Sequence, residues 1–130
     1  MAKVPKHVKD AVNAVRSLKN ILKQFKNIKW FRVPRVKYIH SGPPIGLLHI
    51  DGDHRYPNPL EDFLHLEKYM TPSSFVVFHD YNEKHQGVVK SVKELLKKKK
   101  IVQEYKGNSI FVGKKVDNVW WYQFWRVCNY

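Results

Sequence analysis

The sequence predicts an α/β fold: a partial doubly wound sheet with flanking helices, closed by a C-terminal antiparallel hairpin. Three observations carry this reading. Leu47-Leu48-His49-Ile50-Asp51 and Phe75-Val76-Val77-Phe78-His79 are short apolar runs that end abruptly in polar residues, as strands covered on both faces do in parallel sheets. Segments of helical period alternate with them in the order β-α-β-α-β-β, which demands right-handed crossovers. Both runs also finish in carboxylates and imidazoles, Asp51, Asp53 and His54 after one, His79 and Asp80 after the other. Ligands of open α/β sheets bind outside the carboxyl ends of the strands, so the two endings suggest one shared site.

Taken in order, residues 8–25 space Val12, Val15, Leu18, Leu22 and Phe25 at three- and four-residue steps between lysines and arginines. This predicts an amphipathic helix with a basic outer face and an apolar stripe that needs a partner. Residues 36–40 read as a strand, with a second short one at 28–33 before Pro34. Ser41-Gly42-Pro43-Pro44 is a turn, and residues 46–51 form the first central strand. Asn58 as cap, Pro59 behind it and Glu61 three residues past the cap open a helix over 59–70. Thr71-Pro72-Ser73-Ser74 breaks it before strand 75–79. Val88, Val92, Leu95 and Leu96 give a helix over 87–99, whose terminal Lys97–Lys100 complement its dipole. A hairpin at 101–113 turns at Lys106-Gly107-Asn108. The aromatic tail from Val116 to Tyr130 fits either a helix or a docking strand.

The chain of 130 residues fits one domain with a modest core, and its 43% hydrophobic content excludes wholesale disorder. The net charge of +13 is uneven. Residues 1–40 hold eleven Lys/Arg against one acid, residues 41–80 two against six, and residues 81–130 eleven against four. An acidic centre between cationic flanks fits a metal or cationic-cofactor site in a protein that also meets polyanions. No apolar run approaches a membrane span, the first residues do not form a secretory signal, and Cys128 has no internal partner. The expectation is a cytoplasmic protein with no membrane partner.

Ile50-Asp51-Gly52-Asp53-His54-Arg55-Tyr56, Asp62 six residues after Tyr56, the strand Phe75–Tyr81 and Gly87-Val88 together resemble class I S-adenosylmethionine-dependent methyltransferases. The branch most resembled holds small-molecule and sugar O-methyltransferases and cephalosporin-hydroxylase-like proteins. Tyr105–Lys114 is similar to the antiparallel hairpin that closes their Rossmann-like sheet, so the likeness spans residues 36–115. It divides the chain into a basic helical region (1–35), a family-like core (36–115) and an aromatic tail (116–130). The resemblance implies metal-assisted O-methylation of a small molecule or sugar, with Asp51, His79 and Asp80 holding magnesium or manganese. It implies His54 as general base and Asp53 at the S-adenosylmethionine cofactor.

The family holds that cofactor on a glycine-rich loop and an acid placed earlier in the chain, whereas no glycine precedes Gly42 here. The resemblance therefore implies a truncated domain, inactive as an isolated chain: either a fragment or remnant, or a half that a second copy or another subunit completes. The alternative is a non-catalytic basic module that binds nucleic acid or another polyanion, for which Lys29-Trp30-Phe31-Arg32 interleaves cations and rings. His49, His65 and His85 read as structural.

Overall fold

The computed structural model describes residues 3–29 and 31–117. The chain forms two compact units, residues 1–34 and 35–130. The first contains α1 (Lys6–Leu22), opened by Pro5 and closed by the Lys23 N–H on Lys19 O. The expected amphipathic helix is present, but none of its residues is buried.

The second unit carries β1 (Ile45–Ile50), α2 (Asn58–Leu66), β2 (Met70–His79), α3 (Gln86–Lys97), β3 (Ile101–Lys106) and β4 (Ile110–Lys115). The sheet order is β1-β2-β4-β3. β1 and β2 run parallel, while β2–β4 and β4–β3 are antiparallel. This is the expected α/β class, with flanking helices and a closing hairpin. Alternation along the strands puts Leu48, Ile50, Val76, Phe78 and Phe111 on one face. There they pack with Leu60 and Phe63 of α2 and Val88, Val92 and Leu95 of α3.

Several local expectations are corrected. Residues 36–40 do not form a strand; a single 3-10 turn, Arg35–Lys37, stands there instead. Arg35 follows Pro34 and extends its guanidinium to Asp62 Oδ1 at 2.8 Å, to Glu61 and to the Asn58 carbonyl. These contacts tie the segment to the start of α2, and no strand forms at 28–33 among the described residues either. The break at 71–74 lies inside β2: Ile45 pairs with Met70, but Leu47 pairs with Phe75, so the extra residues bulge out. Ser73 sits there at φ 57°, its N–H and hydroxyl both donating to the Asp117 carboxylate. Asn58 is the first residue of α2 rather than its cap, and its side chain makes no capping bond. Pro57 precedes the helix, and a 3-10 turn (Glu67–Tyr69) takes over its last predicted residues. The aromatic tail beyond Asp117 lies outside the described residues.

Candidate functional site

β1 and β2 are adjacent and parallel, so their carboxyl ends emerge side by side. Asp51 directly follows β1, and His79 closes β2. Asp80 comes next, at φ 57°. That left-handed conformation is unusual outside glycine but is tolerated by aspartate. It turns the chain at the point where the Asp80 carboxylate meets two imidazoles.

Asp80 Oδ2 lies 2.9 Å from His54 Nε2 and 3.1 Å from His79 Nδ1. His79 Nδ1 is also 3.3 Å from Asp51 Oδ1. Donor atoms of Asp51, His79 and Asp80 all fall within 4.8 Å of one another. Both imidazole nitrogens are sealed from solvent, yet neither is aligned for a hydrogen bond. His54 Nε2 and His79 Nδ1 thus lie against the same Asp80 oxygen. Contact with Asp80 raises the His79 pKa against the opposing effect of burial, and the charges of Asp80 and Asp51 add to the rise. The Asp80 pKa is lowered, first by His79 contact and then by His79, His54 and His85 charge, again against burial.

The structure therefore brings four of the five predicted residues together: Asp51, His54, His79 and Asp80. Asp53 is placed differently. Its carboxylate receives the Arg55 backbone N–H and Nε, both at 2.9 Å at Oδ1, and is held well below the usual carboxylate range by that pairing. Its oxygens face its own neighbour in the loop.

Sequence reasoning left out His85 as structural. Its ring centroid lies 4.1 Å from that of His54, and His85 directly precedes α3. Gly87 is the signal that could have found it. A Cβ at Gly87 would come within 2.1 Å of the His54 carbonyl and 2.5 Å of the Tyr56 nitrogen. Only the absence of a side chain lets the start of α3 press against the 54–56 loop. An open cavity of about 500 Å³ lies there, bordered by His54, Tyr56, Lys84, His85 and Lys90. Lys90 Nζ stands 4.0 Å over the Tyr56 ring, and the Tyr56 hydroxyl donates to Glu94 Oε2 at 2.7 Å. These contacts fasten the outer end of the loop to α3.

A family model described as a methyltransferase domain matches residues 4–81. No match was found among curated proteins or among solved structures. Among the described residues no helix is long and apolar enough to cross a membrane.

Proposed function

Because the chain belongs to the methyltransferase-domain family, we propose that it serves O-methylation of a small molecule or sugar as the metal- and acceptor-binding side of an S-adenosylmethionine-dependent site. One observation carries the reading: Asp51, His79 and Asp80 converge at the strand ends, and His54 rests on the same Asp80 oxygen. The sealed, unaligned His79 Nδ1 supplies the fit test. A buried nitrogen without an aligned partner is costly, and a divalent cation meets that need.

Asp51, His79 and Asp80 would hold the ion, and the imidazole among them favours manganese over magnesium. When bound, such an ion supplies Lewis acidity that eases ionisation of a hydroxyl. Asp80 also faces His54 Nε2 and orients the ring, which leaves Nδ1 to take up the acceptor's proton as general base. The adjacent carboxylate then stabilises the imidazolium. Tyr56, Lys84 and Lys90 border the cavity beside His54, where an acceptor has room.

The described residues do not complete a cradle for S-adenosylmethionine. Among them no strand precedes β1, no glycine precedes Gly42, and Asp53 is engaged by Arg55. The cofactor's residues would come from outside the described residues, as from a second copy or a complementing subunit. Among the described residues no strand pairs with the outer edge of β1, and Leu47 and Phe75 are exposed on the sheet face, which supports that reading. A cytoplasmic setting, suggested by the lone Cys128, accompanies it.

Calorimetric titration of the purified chain with Mn²⁺ and with S-adenosylmethionine, beside light scattering, tests the proposal. Mn²⁺ binding should be lost in Asp51→Ala, and the cofactor should bind weakly or not at all. Equal Mn²⁺ binding by both chains, or by neither, removes the metal claim. Micromolar cofactor binding by a monomer refutes the incomplete cradle.

A further inference from the structure

We propose that His54, Asp80 and His85 form a second divalent-cation site, selective for ions of the zinc and cobalt type, which shares Asp80 with the first. The proposal rests on the Asp80 geometry used above but not on Asp51 or His79. Donor atoms of these three side chains lie within 4.8 Å of one another. His54 Nε2 is 2.9 Å from Asp80 Oδ2, shielded from solvent and not aligned for a hydrogen bond. In the tautomer protonated at Nδ1, this nitrogen offers a ligand lone pair. The imidazoles of His54 and His85 sit with centroids 4.1 Å apart and planes tilted by 45°. They are not stacked flat, so their nitrogens can converge.

Ligand spacing supports the assignment. Zinc holds nitrogen and oxygen donors at about 2.0–2.2 Å, which separates tetrahedral ligands by about 3.4 Å. His54 Nε2 and Asp80 Oδ2, 2.9 Å apart, would open slightly, and a His85 nitrogen within 4.8 Å of both lies in reach of the same ion. Two imidazoles and one carboxylate suit zinc, cobalt or iron and not magnesium, which prefers oxygen. Three protein ligands leave further positions open to the cavity bordered by Lys84, Gln86 and Lys90.

The contact between the elements is built into the backbone. Gly87 lets the segment carrying His85 close onto the 54–56 loop, because any Cβ there would meet backbone atoms. The same closeness has a consequence for chemistry. An ion on His54 Nε2 leaves the ring proton on Nδ1, so this site and proton uptake by His54 exclude one another. Zinc at the second site would thus inhibit a reaction that an ion at the first site supports.

Titration of the untagged full chain with Co²⁺, read by visible absorption and by equilibrium dialysis for stoichiometry, tests the proposal. Circular dichroism checks that each variant folds. The wild type should bind two ions. His85→Ala and His85→Phe, the second of which keeps a ring against His54, should each weaken one of them by at least about 10- to 100-fold. Asp51→Ala should lose the other ion and keep this one. If His85→Phe and His85→Ala bind Co²⁺ as the wild type does, or the wild type binds none, the second site is overturned. A single ion lost equally in the Asp51 and His85 variants also overturns it, in favour of one merged site. Loss confined to the His85 variants, with Asp51→Ala unchanged, upholds this site while removing the first.

Discussion

The two faces of the sheet behave as different materials. On one, Leu48, Ile50, Val76, Phe78 and Phe111 lie under α2 and α3, and Val76, Phe78 and Phe111 have no exposed surface. On the other, Leu47 is 63% exposed and Phe75 40% exposed, although they pair directly with each other in the same ladder. Both sets are equally apolar in sequence. A continuous apolar run therefore marks a strand that could be covered twice, whereas coverage itself depends on what packs against it. The site follows the same division. His49 and His79, whose rings meet edge to face at 6.1 Å, alternate with the core residues and so share the open face.

The sharpest way to break this comparison is to empty the covered face. Phe78→Ala should cost about 3–5 kcal/mol, because the ring is fully enclosed and the helices can collapse onto the void only in part. Urea denaturation monitored by circular dichroism measures it, and a loss below 1 kcal/mol would mean that the covered face is not the core.

Next comes Gly87→Ala, which forces a methyl group against the backbone of the 54–56 loop. Overpacking of this kind costs about 1–3 kcal/mol. It should also separate His54 from His85, so chemical shifts of both imidazoles should move together. Unchanged shifts would show that the close approach does not control the site.

Arg35→Ala is expected to be milder. The guanidinium bridges Glu61 and Asp62, but both pairs are partly solvated. A loss of no more than about 1 kcal/mol is expected, shrinking in high salt. A larger loss that salt leaves unchanged would point to packing of the Arg35 stem.

Leu47→Ser should do least. With most of its side chain in water, the change should lie within about 0.5 kcal/mol, and solubility should improve as the open face becomes more polar. Destabilisation comparable to Phe78→Ala would mean that the open face is covered in solution, by a second copy or another chain. Light scattering on the same samples separates those two cases.

Much of this arrangement was legible without coordinates because it is local. Helical spacing marked α1 and α3, Asn58-Pro59 marked the start of α2 to within a residue, and Lys106-Gly107-Asn108 marked the turn between β3 and β4. The pairing of Asp51 with His79 and Asp80 was legible too. Two apolar strands of a parallel sheet must end at the same edge, so the polar residues that finish them become neighbours.

Other features depended on partners far along the chain. Residues 36–40 have strand composition, but Arg35 found the acids at the start of α2 and the segment became a turn. Residues 71–74 look like a chain break, yet Asp117 holds the bulge at Ser73 inside β2. His85 carries no signal of its own; it joins His54 because Gly87 admits the backbone contact across thirty-odd residues of sequence. By itself the sequence determined the helices α1 to α3, the two central strands, the closing hairpin and which side chains stand at the strand ends, since period, turn chemistry and chain direction act over a few residues. Only the tertiary structure decided which face of the sheet is covered, which carboxylate is engaged by its neighbour and which histidines meet, because each of these depends on packing between segments whose separation no local pattern encodes.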